Sequence, residues 1–148
     1  MADLVVLAIP YGCFPRLPFD ELTGRVVLDA CNYLPYRDGR DHAIDEGRTS
    51  TAEVLAQRLP SSRIVKGLNT IAAGQIIGDA TPPGTPNRRA LPIVGDDRTA
   101  KELVARFIDE LGFDTVDAGP LPGGRGPRNP RTAWQPPLTA LALTAALT

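Results

Sequence analysis

An apolar run near the start of the chain, residues 4–9, constrains the fold more than any other stretch. Leucine, valine, alanine and isoleucine follow one another there without polar alternation, and Pro10 closes the run. Such a run is typical of a strand in a parallel sheet whose two faces are covered by helices. We therefore expect it in the middle of a sheet. Because only Met1 and Ala2 precede residues 3–10, we expect its neighbouring strands to come from later in the chain or from another chain.

Strand and helix patterns alternate along most of the remaining chain. Further strands are predicted at residues 25–30, 63–69, 90–95 and 113–118. The clearest helix has apolar residues at helical spacing over positions 100–111, and Asp97 or Thr99 can cap its start. A capping box at residues 50–53 starts another helix, and residues 70–78 are predicted to form a short one. The alternation predicts an α/β fold with a mostly parallel sheet flanked by helices.

Glycine and proline dominate the sequence from Gly119 onward, where the helix and strand patterns stop. We expect an α/β domain over residues 1–119 and an irregular Pro/Gly-rich arm with a short apolar tail over residues 120–148. The tail, residues 138–148, is either a frayed helix or a segment that docks on another surface. Trp134 lies in the arm and is either a docking anchor or without a role.

The composition excludes several classes of protein. The 148 residues carry a formal net charge of -1 and the basic residues are scattered, so we expect neither a nucleic-acid nor a membrane-surface partner. No apolar run reaches the ~18 residues of a membrane span, and the N-terminus lacks the pattern of a signal peptide. Cys13 and Cys31 lack metal-ligand spacing and are expected to be free thiols, as in a reducing cytosol. The expected location is the cytoplasm, and no metal site is expected.

The ends of the predicted strands are the places where the sequence points to a ligand. In a mostly parallel α/β sheet, ligands bind beyond the carboxyl ends of the strands. This rule selects three loops, residues 9–11, 32–34 and 69–71. Asn32 and Asn69 stand in two of these loops, where their amides either contact a ligand or make turn hydrogen bonds. No motif for nucleophilic or acid–base catalysis is found, so no catalytic residue is predicted.

Five sequence blocks occur in the same order as in a known family. They are residues 5–12, 26–32, 64–71, 94–97 and 111–121. Over roughly residues 3–121, the chain resembles the NADPH-dependent reductases of the deazaflavin coenzyme F420. The resemblance implies a Rossmann-type domain in which NADP lies across the strand ends and exchanges a hydride with F420. Because the cofactors supply the chemistry of such a transfer, the protein aligns them and excludes water.

The resemblance also assigns roles to individual residues. It implies cofactor-binding roles for the turn after the first strand and for two loop asparagines, namely Ala8, Ile9, Pro10, Asn32 and Asn69. It implies substrate-binding roles, toward the deazaflavin, for four consecutive residues after the third strand, namely Asn69, Thr70, Ile71 and Ala72. Together these positions would form the nicotinamide and deazaflavin pocket.

The chain departs from the family at its beginning. The family opens with a strand, a G-x-G-x-x-G turn and a helix whose N-terminus holds the pyrophosphate, and no such motif occurs in this sequence. We therefore expect a partial Rossmann-type sheet in which residues 4–9 form an uncovered apolar edge that pairs with a second copy. Three functions follow: an NADP-linked F420 reductase, a non-catalytic module that pairs through this edge, or an NADP-dependent reductase with another acceptor.

Overall fold

Five strands of the described residues form one sheet, in the order β1-β2-β3-β4-β5. The computed structural model describes residues 4–125 and 137–147. The strands are β1 Leu4–Leu7, β2 Val26–Asp29, β3 Arg63–Lys66, β4 Ala90–Gly95 and β5 Asp114–Asp117. The first three strands run parallel, β4 and β5 run parallel to each other, and β3 pairs antiparallel with β4. The mostly parallel α/β sheet that the sequence predicts is confirmed.

Helices connect the strands and cover the sheet. In the described residues the α-helices are α1 Phe19–Leu22, α2 Pro35–Asp38, α3 His42–Asp45, α4 Thr51–Arg58, α5 Ala73–Gly78, α6 Arg98–Glu110 and α7 Ala140–Leu147. The 3-10 helices Tyr11–Arg16 and Leu121–Gly124 follow β1 and β5. The Ser50 hydroxyl accepts a hydrogen bond from the Glu53 N–H at the start of α4, where the sequence predicts a helix cap.

The sheet separates two apolar cores, because successive side chains of a strand point to opposite faces. Val27 and Ile64 face the first core, which includes Leu55 of α4. Leu28 and Val65 face the second core, which packs against the buried side of α6. All four residues of β2 are buried. Covered on both faces, β2 and β3 anchor the loops that follow them.

The first strand lies at an edge of the described sheet and not in its middle. β1 pairs with β2, and no strand of the described residues pairs with its other side. Val6 is 41% exposed, and Leu4 and Val5 are half-buried. The expectation of a central, covered strand is therefore wrong for this structure, whereas the uncovered apolar edge is present. An unbroken apolar run shows that the side chains on both faces of a strand are apolar. It does not show how many strands pair with that strand.

Pro92 lies inside β4, although proline favours an edge strand or the start of a strand. β4 pairs with β5 through residues 90–93, and with β3 only through Val94 and Gly95. The strand is central in the order of the sheet, but the half that contains Pro92 has a strand partner on one side. The missing N–H of Pro92 therefore removes no hydrogen bond to β3.

The beginning of the Gly/Pro-rich segment packs against the sheet. The 3-10 helix Leu121–Gly124 places Leu121, which is 4% exposed, in the core beside α4. The Leu121 N–H donates to Asp96 Oδ1 at 3.0 Å. Residues 121–124 thus form a 3-10 helix that packs on the core, within the segment predicted to be an irregular arm.

The apolar tail packs against the sheet of its own chain. α7 contacts β4 and β5, and its residue Leu143 is buried. The Ala90 N–H donates to the Leu138 carbonyl at 2.8 Å, which ties the entry of α7 to β4. The surface on which the tail docks is thus the sheet itself. The division between residues 1–119 and 120–148 stays a prediction, and Trp134 lies outside the described residues.

Replacing Asp97 with alanine is expected to lower the free energy of unfolding by about 1 kcal/mol. The Asp97 carboxylate accepts the Ala100 N–H at 2.7 Å and so satisfies one unpaired donor at the start of α6. Thr99→Ala is the matched control, because the sequence offers Thr99 as the other candidate cap; it should change stability by less than about 0.5 kcal/mol. Urea unfolding of both variants measures the difference, and equal losses would contradict the assignment of the cap.

Candidate functional site

A cleft of about 610 Å³ opens at the carboxyl ends of β1 and β2. It is lined by the segments that follow these strands and by two residues at α2, namely Ala8, Ile9, Pro10, Ala30, Cys31, Asn32, Leu34 and Arg37. The lining is mostly apolar, with the Asn32 amide and the Arg37 guanidinium as its main polar groups. Such a cleft can hold a flat ring with a polar margin. It lies at the edge of the sheet where the sequence predicts a ligand.

Four of the five residues predicted to bind the cofactor lie together in this cleft. Ala8, Ile9 and Pro10 line it after β1, and Asn32 lines it after β2. Asn69 lies outside the lining, but its carbonyl accepts a hydrogen bond from Asn32 Nδ2 at 2.9 Å. The Asn32 amide therefore joins the loops after β2 and β3. The binding role of these residues stays a prediction.

The residues predicted to bind the deazaflavin do not line the cleft. Asn69, Thr70 and Ile71 are 3%, 1% and 6% exposed, and Ala72 is exposed at the start of α5. Leu68 precedes them with a φ of 59°, a left-handed conformation that is unusual for leucine and turns the chain after β3. The buried Thr70 hydroxyl has no hydrogen-bond partner among the described residues. Water or a bound group ordinarily satisfies such a hydroxyl, and the role of these residues stays a prediction.

Asp38 fixes the loop that forms the outer rim of the cleft. Its carboxylate accepts hydrogen bonds from the Arg37 side chain and from the N–H groups of Leu34 and Gly12. A Cβ on Gly12 would lie 3.3 Å from Asp38 Cα, so the two loops approach closely there. The hydrogen bonds from Arg37, and then those from the two N–H groups, lower the pKa of Asp38 to about 2. Asp38 thereby holds the 3-10 helix after β1 against α2.

Two tyrosines attach the following turn to the same rim. The Tyr11 hydroxyl donates to Asp41 Oδ2 at 2.7 Å, and its ring meets the Tyr33 ring edge to face with the centroids 5.5 Å apart. The Tyr33 hydroxyl accepts the Asp41 N–H at 2.8 Å. Burial and the hydrogen bond to Asp41 raise the pKa of Tyr11, so its hydroxyl remains a donor at neutral pH. The rim is therefore held by side chains from three successive loop segments.

A buried ion pair lies beside the cleft. Lys66 Nζ donates to Asp29 Oδ2 at 2.9 Å, to Thr51 Oγ1 at 2.8 Å and to the Cys31 carbonyl at 2.8 Å. Asp29 is 0% exposed and Lys66 is 5% exposed. The two residues are partners in the register of β2 and β3, and Thr51 begins α4. The ion pair thus ties together the strand ends from which the cleft residues project.

Sequence reasoning missed the ion pair and Arg37. The signal for the ion pair was present, since Asp29 and Lys66 each follow directly after the apolar residues of a predicted strand and carry opposite charges. Because buried charges are almost always paired, two such strands favour a contact between them. Nothing comparable marks Arg37, which stands in a polar loop where charged residues are common.

Cys31 lines the cleft as a protonated thiol. Burial and the neighbouring Asp29 carboxylate raise the pKa of Cys31 to about 12, which makes it unsuited to act as a nucleophile. Cys13 and Cys31 are free, as the sequence predicts. Within residues 4–125 and 137–147, no three His, Cys, Asp or Glu side chains cluster as metal ligands would. No helix in those residues is long and apolar enough to cross a bilayer.

Asp38→Asn is expected to lower the free energy of unfolding at pH 7 by about 1–2 kcal/mol. The pKa of Asp38 in the folded chain lies below its ordinary value of 3.8, so the ionised carboxylate stabilises the folded state. That stabilisation is complete above about pH 4 and is lost as the pH falls toward 2. Urea unfolding between pH 7 and pH 2.5 should show a shallower acid decline in the variant.

Asp20→Asn is the control for Asp38, because Asp20 is exposed on α1 and lies outside the cleft lining. It should change stability by less than about 0.5 kcal/mol at either pH. An Asp38→Asn variant with the acid decline of the original chain would contradict the role assigned to this carboxylate.

The sheet order, the helices on both faces and the cleft at the strand ends define a Rossmann-like α/β domain. No family model matches the chain. Among solved structures it is similar to a protein from Arthrobacter sp. FB24 described as "a putative F420-dependent NADP-reductase", with a TM-score of 0.69 and 25% identity over 86% of this chain. It is also similar to a hypothetical protein from Sinorhizobium meliloti, with a TM-score of 0.69 and 29% identity over 95% of this chain.

The similarity to the Arthrobacter protein confirms the resemblance to the F420 reductases that the five sequence blocks carry. The chain covers 59% of that protein and 65% of the Sinorhizobium protein. It therefore spans less than two thirds of the length of either.

Proposed function

We propose that this chain is an NADP-linked oxidoreductase that exchanges a hydride with coenzyme F420. The observation that carries the proposal is the cleft at the ends of β1 and β2, where Ala8, Ile9, Pro10 and Asn32 lie together. The structural similarity to the Arthrobacter protein supports the same assignment. When bound, the reduced nicotinamide supplies the hydride, and the deazaflavin takes up that hydride and one proton from solvent. The chain would supply the surface that aligns the rings and excludes water.

The residues of the cleft fit the nicotinamide end of such a cofactor. Ile9 and Pro10 offer apolar contact to one face of a ring. The Asn32 side chain, already held by the Asn69 carbonyl, offers its amide oxygen to a polar group at the ring margin. The usual cradle for a pyrophosphate, a G-x-G-x-x-G turn before a helix, is not part of this sequence. The fit argued from Ile9, Pro10 and Asn32 therefore concerns the ring, and no glycine-rich turn of this sequence contributes to holding the pyrophosphate.

A calorimetric titration of the purified chain with NADPH tests the proposal, followed by an assay in which NADPH-dependent loss of the F420 absorbance is recorded. Saturable binding near micromolar together with F420 reduction is the expected result. Binding without F420 reduction would favour an NADP-dependent reductase with another acceptor. A folded chain that binds no NADPH would contradict the proposal.

The uncovered edge of β1 favours a second candidate, a non-catalytic module that pairs with another copy. Val6 is 41% exposed on a strand whose outer side has no partner strand in the described residues. Edge strands of this kind are templates for pairing with another chain. A dimer that forms with rising concentration, binds no NADPH and is abolished by Val6→Lys would support this candidate over the first.

A further inference from the structure

Arg37 brings a positive charge to an otherwise uncharged cleft. Among the described residues that line the cleft, it is the only one with a charged side chain. Its side chain is 38% exposed, whereas that of Asp38 beside it is 1% exposed. The guanidinium thus lies between a buried carboxylate on one side and the open cleft on the other.

The guanidinium is held in a defined orientation. Its Nε donates to Asp38 Oδ1 at 2.8 Å, and its Nη2 donates to Asp38 Oδ2 at 2.8 Å. Nη2 also donates to the Asn32 carbonyl at 2.7 Å. In the described part of the chain these contacts use Nε and Nη2 and leave the Nη1 edge for another acceptor. Because the orientation is already set, binding an anion there costs little side-chain entropy.

We propose that Arg37 binds a phosphate-ester anion of the molecule that occupies the cleft. The inference rests on the proposed function, because both partners of that reaction carry such a group: the nucleotide has its phosphates, and the deazaflavin has a phosphodiester in its side chain. The planar guanidinium matches the oxygen atoms of a phosphate, and the apolar lining receives the attached ring.

Asp38 weakens this attraction without cancelling it. Its negative charge is shared among the N–H donors of Gly12 and Leu34 as well as the guanidinium. The carboxylate lies on the buried side, so a bound anion would meet the donor atoms of Arg37 first. A moderate gain in affinity is therefore expected rather than the gain from an unpaired arginine.

Arg37→Gln tests the inference by separate titrations with NADPH and with oxidised F420. A charge-assisted hydrogen bond of this kind should be worth about tenfold in the dissociation constant, after allowance for Asp38 and for solvent. Loss of affinity for NADPH alone assigns the anion to the nucleotide, and loss for F420 alone assigns it to the deazaflavin. Higher salt should weaken binding more in the original chain than in the variant.

Arg40→Gln is the matched control, since Arg40 is 73% exposed in its side chain, pairs with Asp45 and does not line the cleft. It should leave both dissociation constants within about twofold, because exposed charges in a high-dielectric solvent contribute little. Arg37→Lys keeps the charge without the planar fork, so it should recover part of the lost affinity. Circular dichroism verifies that each variant is folded, and Arg37→Met, which also removes the charge, replaces Arg37→Gln if that variant unfolds.

The outcomes separate the two proposals. A folded Arg37→Gln variant, or in its place Arg37→Met, with unchanged affinity for both ligands would overturn the inference and leave the proposed function intact. Equal losses in Arg37→Gln and Arg40→Gln would also overturn it, because they would reflect net charge alone. An original chain that binds neither ligand would overturn the function and the inference together.

Discussion

Lys66→Met is expected to lower the free energy of unfolding by about 3–5 kcal/mol, because it leaves a buried carboxylate without its counter-charge. Asp29 is 0% exposed and, among the described residues, would keep the Thr51 hydroxyl and the Cys31 N–H as donors. Methionine fills a similar volume, so the loss reports the charge rather than a cavity. Urea unfolding at pH 7 measures it.

Lys101→Met is the matched control for Lys66. The chain has these two lysines, and each pairs with an aspartate; the Lys101–Asp117 pair is open to solvent, with the Asp117 side chain 55% exposed. Its loss should cost less than about 1 kcal/mol. The double variant Asp29→Asn with Lys66→Met should recover part of the stability lost on removing Lys66, because neither buried charge remains. A loss in Lys66→Met no larger than in Lys101→Met would contradict the importance of the buried pair.

Ala8→Trp is expected to weaken NADPH binding at least about 30-fold, which corresponds to about 2 kcal/mol. Ala8 is exposed and lines the cleft, so an indole there would occupy the space proposed for the nicotinamide ring. Because the substitution adds bulk at an exposed position, stability should change by less than about 1 kcal/mol. Calorimetric titration gives the affinity and thermal unfolding gives the stability.

Ala105→Trp provides the control for Ala8. Ala105 lines a different groove, of about 440 Å³, between α6 and β5. The same bulk added there should leave NADPH affinity within about twofold, since it does not touch the proposed ring site. Unchanged affinity in Ala8→Trp would show that the nucleotide binds elsewhere. Equal losses in the two variants would point to a general disturbance of the fold.

The local elements of this fold were predictable from the sequence. Five strands and the helix over α6 follow from side-chain periodicity, and the sequence offered Asp97 or Thr99 as the helix cap, of which Asp97 forms it. The strand-end rule also placed Ile9, Pro10 and Asn32 at one edge of the sheet, and the family resemblance added Ala8. These features depend on residues that are close together in the chain, so a single sequence is enough to predict them.

Pairing between distant segments was not predictable in the same way. Which segments pair decides three features of this fold. They are the edge position of β1, the antiparallel pairing of β4 with β3, and the packing of α7 on β4 and β5. The apolar side chains of a strand or tail favour its burial, but they do not specify which other segment covers it. The apolar run at residues 4–9 illustrates this. It predicted a strand with a neighbouring strand along each edge, but in the described residues β1 pairs with β2 alone.

The chain by itself therefore determined the kinds of element, their order and the sheet edge at which the predicted cofactor residues meet, because helix and strand periodicity and the strand-end rule act locally. The tertiary structure decided which polar groups meet there. In the folded chain Lys66 pairs with Asp29, and Arg37 lines the cleft. Asn69 and Thr70 are buried and do not line the cleft. Those contacts link residues far apart in sequence, and their free energies depend on burial and geometry that only the folded chain defines.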